Sequence, residues 1–224
     1  MNRLLPGRKR FTIKNAEGLV IVEYISESID WRAKVVCQPC NNGWMSKIEN
    51  DHAKPALTDL IVGDLGISIT QSRAHSIALF AFKTAVVFDH LARNRQPFFE
   101  RSARHEFGRS LTLPLNVNMW LAGFSPAGKG NAHTGYHTGT LPNTGGISMY
   151  VCTYAVGHVV LQTVGCNASD VHQIMPKTKQ FDGLSIPFWP EIPNGFIWPA
   201  GEVLQTVDDF DSFCMRWRDI EVTV

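Results

Sequence analysis

From Ser72 to Arg93 the chain carries one continuous helical pattern, with Ile77, Phe80, Thr84, Val87 and Leu91 sharing a face. The residues between them are largely apolar too. The pattern therefore predicts a helix buried on most sides, which needs a core wrapped around it rather than a single surface to lie on. A chain of 224 residues can supply that core, because folding at this length hides roughly 70% of the surface the unfolded form exposes. With 44% apolar and 18% charged residues, this is no mini-protein dependent on disulfides. The 18 Gly and 12 Pro exclude collagen-like or low-complexity sequence. The longest apolar stretch, Ile77 to Phe88, is too short to span a bilayer and contains Lys83. Met1 to Arg10 is basic, with no apolar run behind it to make a secretory signal. These features predict a soluble, cytoplasmic protein with no membrane partner.

Around that helix the texture is mixed. Gly18 to Ile25 is β-branched and aromatic, a predicted strand, and Trp31 to Val36 reads as a second. Trp44 to Asp51 has helical character, and Pro55 opens another short helix through Ile61 that Gly63 closes. Pro97 to Phe107 is a basic amphipathic helix candidate. Beyond Leu111 the stretches Leu113 to Phe124 and Ile147 to Val164 are strand-like, separated by a Gly-, Thr-, His- and Asn-rich loop from Ser125 to Gly146. Leu184 to Pro199 is dense in Pro and Trp and hostile to regular elements. Val207 to Trp217 predicts a closing helix with an acidic start. The fold class is α+β: a small N-terminal ββα-like module over residues 1–56, then a larger α+β domain over 57–224 with a helical middle and a β-rich C-terminal half.

The formal charge is +1, so no global basic field advertises a polyanionic partner. Its distribution is uneven. Lys and Arg exceed Asp and Glu in residues 1–56 and 71–109, and the balance reverses in 110–224. The basic run Arg93, Arg95, Arg101, Arg104 and Arg109 could contact phosphates or form a solvated helix face.

The five cysteines, Cys37, Cys40, Cys152, Cys166 and Cys214, are odd in number and unevenly spread, which argues against a disulfide framework. Cys37-Gln38-Pro39-Cys40 is the exception. Two cysteines separated by two residues make a tight turn whose sulfurs converge, giving half of a tetrahedral zinc site. A redox pair or two ordinary buried cysteines satisfy the same spacing, although no βαβ continuation follows as a thioredoxin-like pair requires.

The continuation Asn41-Asn42-Gly43-Trp44-Met45-Ser46 resembles the zinc-knuckle "CNNGWMS" type of the HNH endonuclease superfamily. The likeness extends to Lys54-Pro55, to Lys83-Thr84-Ala85 in the long helix, to Trp120-Leu121, and to the late Trp189-Pro190 and Trp198-Pro199 pairs. It implies a two-strand hairpin packed on a helix around one divalent ion, and metal-assisted hydrolysis of phosphodiester bonds in DNA. In that scheme a His on the first strand is the general base, and an Asn before the helix, here Asn41, holds that His. Glu49, Asn50 and His52 are the candidates to ligate the catalytic ion, magnesium or another divalent metal, while Cys37 and Cys40 ligate a structural zinc.

The sequence departs from the family pattern in one respect. No Cys or His precedes Cys37, whereas these proteins carry an earlier Cys pair and a Glu-His or Asp-His there. The knuckle thus brings two of four zinc ligands and no general base. The expectation is an HNH-like protein incomplete or inactive as this chain, and the alternative is a non-catalytic nucleic-acid- or protein-binding module with a degenerate knuckle. Of the other histidines, His133 and His137 fall in the predicted loop, His75 and His90 at the solvent boundary of the long helix, and His158 and His172 read as structural. Lys83 reads as a snorkelling side chain. No nucleophile elbow or P-loop occurs, since Gly128-Lys129-Gly130 lacks the spacing.

Overall fold

The long apolar helix α3 (Gln71–Leu91, 21 residues) spans about 30 Å and lies across one face of a five-stranded sheet. Ile77, Ala78, Leu79, Phe80, Ala81, Phe82, Ala85 and Val86 are all buried. Consecutive buried positions cover every azimuth of a helix, so α3 is enclosed rather than half-sunk, as its pattern predicted. The structure is a computed structural model that describes residues 9–14, 20–26, 35–91, 96–125, 132–140, 148–167, 174–176, 180–190, 194–218 and 220–222. For residues 9–14, 20–26, 91, 132–140, 174–176, 218 and 220–222 it describes the backbone alone.

The chain begins with a hairpin of β1 (Lys9–Lys14) and β2 (Val20–Ser26). Helix α1 (Gln38–Cys40) runs through two wide π-type segments, Asn41–Met45 and Ile48–Ala53, into α2 (Lys54–Val62). As expected, Gly63 caps α2 in the left-handed conformation (φ 92°). Strand β3 (Ile67–Ile69) leads into α3, and α4 (Arg101–Ser110) follows. Then come β4 (Val117–Gly123), β5 (Ala132–Thr140), β6 (Ser148–Val156), β7 (Val159–Cys166), β8 (Ile174–Pro176), β9 (Ser185–Trp189) and β10 (Phe196–Trp198). Helix α5 (Val207–Met215) and β11 (Ile220–Val222) complete the described residues.

The large sheet has the order β5-β6-β7-β4-β9 with every neighbour antiparallel. Strands β3 and β10 form a separate ribbon, as do β8 and β11. Every residue of β4 and β7 is buried, because both faces of the sheet are covered. On one face Val117, Met119, Leu121, Tyr150, Cys152, Tyr154, Val159 and Leu161 share an apolar cluster with α2, α3 and Phe107 of α4. On the other, Ala122, Ala155 and Val160 pack with Phe210 and Phe213 of α5. The class is α+β. Residue 56, where the sequence suggested a division, lies inside α2, and Ile48, Ala53 and Ala56 share one apolar cluster with α3. The β1–β2 hairpin lies alongside β5.

The strand reading needed correction where Gly and Pro dominate. Strand β5 occupies the middle of the predicted Ser125–Gly146 loop, pairing along its whole length with β6. Strands β9 and β10 form inside the Pro- and Trp-rich stretch, where Trp189-Pro190 and Trp198-Pro199 are cis. In both places tertiary pairing overrides weak local propensity. The strand-like stretch 147–164 forms two strands turned at Gly157 and His158. Gly157 is required there. Its φ is +57°, and a Cβ would sit 2.1 Å from the carbonyl oxygen of Ile61. Helix α4 starts four residues later than expected, after the chain bends at Phe98 and Phe99 and Phe99 enters the core. Val35 and Val36 form a turn rather than the end of a strand, and residues 31–34 lie outside the described residues.

The face under α5 carries a buried polar hub. The carbonyl oxygen Oε1 of Gln162 accepts from Arg216 Nε (2.8 Å) and Trp217 Nε1 (2.7 Å), while its Nε2 donates to Thr153 Oγ1 (2.7 Å). The Arg216 guanidinium lies 4.1 Å from the Phe213 ring and 5.3 Å from Trp120, a cation stacked among aromatic faces. Burial drives its pKa down to about 9, against the opposing charge of Asp182. Helix α5 begins at a capping box in which Thr206 Oγ1 accepts from Asp209 N–H (3.0 Å) and Asp209 Oδ2 accepts from Thr206 N–H (2.8 Å). Removing the acceptor while keeping the cation should be the costly change. Gln162→Leu is expected to lower stability by about 3–5 kcal/mol in urea unfolding. Adding Arg216→Met should return part of that loss, and a double variant weaker than the single would refute this account of the hub.

Candidate functional site

Cys37 is the N-cap of α1, in extended backbone (φ −68°, ψ 150°), and the first turn closes behind it with Asn41 N–H donating to its carbonyl at 2.9 Å. Its sulfur accepts the backbone N–H of Cys40 at 3.3 Å. The two thiols interact, Cys37 being exposed and Cys40 half-buried. The hydrogen bond from the Cys40 side chain, reinforced by the Cys40 backbone N–H, lowers the Cys37 pKa. The same thiol pairing, with burial, raises that of Cys40. Cys37 is therefore the thiol of the pair that ionises first. A thiolate is both the nucleophilic and the metal-binding form of cysteine.

The chain bends at Gly43 (φ −92°, ψ −113°), and the following helix is held by its apolar side. Met45 and Ile48 are buried. Trp44 is half-buried, its ring edge-to-face on Phe107 at 5.5 Å between centroids. A Cβ at Gly108 would meet the Trp44 indole at 3.0 Å, so any larger residue would push the ring away from α4. The knuckle is thus exposed at its tip and anchored at its base.

The residues that the HNH resemblance points to are distributed along this helix in different directions. Asn41 is exposed, its amide donating to Asn42 Oδ1 at 3.3 Å. Asn50 is exposed and locally engaged, donating to the Ser46 carbonyl (2.9 Å) and accepting from Lys54 Nζ (2.6 Å). Glu49 and His52, one turn apart, both turn to α3. There Glu49 Oε1 meets Lys83 Nζ at 2.7 Å, and His52 Nδ1 lies 3.4 Å from Ser76 Oγ. Among the described residues no group of three or more His, Cys, Asp or Glu side chains is placed to hold a metal ion. Cys37 and Cys40 offer half the donors of a tetrahedral zinc site, and Glu49, Asn50 and His52 do not converge into a divalent-ion site. These residues fit neither ion as a complete ligand set.

Lys83 corrects the snorkelling expectation. It is buried, lies 4.8 Å from the Phe80 ring centroid, and ends on Glu49 rather than in solvent. The signal was a single Lys in an otherwise apolar helix, whose charge demanded a partner that sequence alone did not name. His75, exposed on α3, rests 6.0 Å from the Trp189 ring, and its pKa is lowered by partial burial and by the nearby His52. His158 is structural as expected, bonding the Phe124 carbonyl (2.9 Å) with its ring against Gly63. His133 and His137 lie on strand β5 rather than in a loop. Their side chains, with Arg93, Arg95 and His172, lie outside the described residues.

Two measurements check this geometry. Trp44→Ala should cost about 2–3 kcal/mol in chemical denaturation, below the roughly 3–5 of a fully buried Trp, because the ring is half-exposed. In metal-free buffer Cys37 should be alkylated by iodoacetamide before Cys40. As pH rises its rate should climb at lower pH than that of a free cysteine, because its lowered pKa populates the thiolate earlier; Cys40→Ser should shift that profile upward. Equal rates at the two positions would contradict the asymmetry. No protein-family model, curated protein or solved structure matches this chain.

Proposed function

We propose that this chain is a protein of HNH endonuclease type that acts on DNA, its described residues supplying the knuckle and a DNA-binding scaffold rather than a complete hydrolytic centre. The observation that carries this reading is the knuckle itself. Cys37 and Cys40 converge at an exposed tip, Asn41 follows at once, and Trp44 locks the base of that tip against Phe107 and Gly108. A metal-ligating turn must hold its donors still, and this one opens a helix anchored by the buried Met45 and Ile48 rather than a free loop. Asn41 takes the role of orienting a general base. Glu49 is committed to Lys83, so of the three ligand candidates it is the least free to bind an ion.

The balance between nuclease and non-catalytic module is settled by cleavage of supercoiled plasmid in magnesium or manganese, beside binding of a labelled duplex at low salt. The duplex should bind, and cleavage should run about 100- to 10,000-fold below that of an HNH enzyme with its general base in place. Absence of binding would overturn the DNA reading. Full-rate cleavage untouched by Asn41→Ala would overturn the residue assignments.

A second reading, a dithiol redox pair, is favoured by the unequal Cys37 and Cys40 thiols. In it the Cys37 thiolate attacks a small-molecule disulfide and expels one thiolate, and Cys40 then displaces the other to close the Cys37–Cys40 bond. Reversible loss of both thiols on treatment with oxidised glutathione supports this reading, and tight zinc retention by the pair opposes it.

A further inference from the structure

Helix α4 has two unlike sides. Phe107 is buried against Trp44 and Phe82, with ring centroids 5.5 and 4.7 Å away. The opposite side carries Arg101, His105, Glu106 and Arg109, all exposed. The sequence marked a string of arginines here as either phosphate contacts or a solvated face. The structure sorts them.

Arg104 turns inward. Its Nη1 lies 3.1 Å from His90 Nδ1, its Nε is buried, and its pKa is lowered by burial against the favourable charge of Asp89. That guanidinium serves the junction of α3 and α4. Arg101, His105 and Arg109 form the exposed stripe, each four residues from the next. Arg101 Nε donates to His105 Nε2 at 3.3 Å, which holds the two side chains together on the surface. Arg109 is 80% exposed and pairs with Glu106, itself 54% exposed. A solvated pair of that kind is worth little, so a phosphate can displace it at small cost.

We propose that this stripe, Arg101, His105 and Arg109, is the surface that takes the sugar–phosphate backbone of duplex DNA, and that Arg104 takes no part. The proposal rests on the DNA reading above and names where that partner sits. Charge complementarity carries it: the free side of this ten-residue helix presents Arg101, His105 and Arg109 against a single carboxylate, Glu106, while Phe107 on the other side is buried. Spacing agrees. Positions four apart rise about 6 Å along a helix. Phosphates of one strand advance about 3.4 Å each along the duplex axis, so every second phosphate lies about 7 Å further on. Position agrees too, because Trp44 against Gly108 sets the knuckle helix directly on α4, and Lys47, three residues beyond Trp44, is exposed.

The test is the salt dependence of binding to a fluorescent duplex of arbitrary sequence. Each phosphate contact removed should flatten the slope of log affinity against log salt by about 0.9. Arg101→Gln and Arg109→Gln should each do so, and the double variant by about twice as much, with the melting midpoint unchanged. Glu106→Gln should tighten binding, because it releases Arg109 and removes a charge that repels phosphate. Arg104→Gln should lower the melting midpoint and leave the slope intact. If the unaltered protein binds with a steep slope and the double variant keeps that slope, the phosphate surface lies elsewhere. That outcome overturns this inference and leaves the DNA reading standing. If the unaltered protein binds no duplex at low salt, both fail.

Discussion

Enclosing α3 is the constraint on which the rest of this fold depends. A helix buried on every side must be covered by several elements at once, and here the sheet lies beneath it while α2, α4 and the knuckle helix close over it. The sheet in turn cannot leave its far face wet, because its central strands are buried at every position, so α5 seals the other side. One sequence property, the continuous apolar surface of residues 77–86, thus propagates into a three-layer arrangement.

The same constraint explains how a small exposed motif is held. Aromatic rings run from Trp44 through Phe107 and Phe82 to Phe99 and Tyr150, each edge-on to the next, linking the base of the knuckle to α4, α3 and β6. Tyr150 finishes the series by donating its hydroxyl to the Ala85 carbonyl at 2.9 Å. Lys83 adds the polar counterpart, a buried cation reaching Glu49 across the same junction. The Glu49 end of the pair is exposed, so the pair contributes little net stability, but it ties the knuckle helix to α3 at one point. No helix among the described residues is long and apolar enough to cross a membrane, and α3 meets its apolar demand inside the protein.

Legibility followed the range of the interactions. The helices at 54–62, 71–91 and 207–215 were readable because periodicity, Pro55, Gly63 and an acidic first turn are local signals. Strand β5 was not, since Ala132–Thr140 is rich in Gly, Thr and His and becomes a strand only where β6 offers it a ladder. The close approach of Cys37 and Cys40 at a turn was legible from their spacing. The fates of Glu49, Asn50 and His52 were not. Adjacent positions on one helix point in different directions, and which of them meets Lys83 or Ser76 depends on an element 24 to 34 residues away.

The sequence by itself determined that this chain folds around a buried helix, that its class is α+β, and that two cysteines converge at a turn before a helix. Each of these is set by spacing within a few residues, where backbone geometry leaves little freedom. Tertiary structure decided which charges are spent inside and which remain available. It turned Arg104 toward His90 and Asp89, committed Glu49 to Lys83, and left Arg101, His105 and Arg109 facing water. A charged side chain is long enough to reach any of several partners, and only the packing of the elements around it selects one.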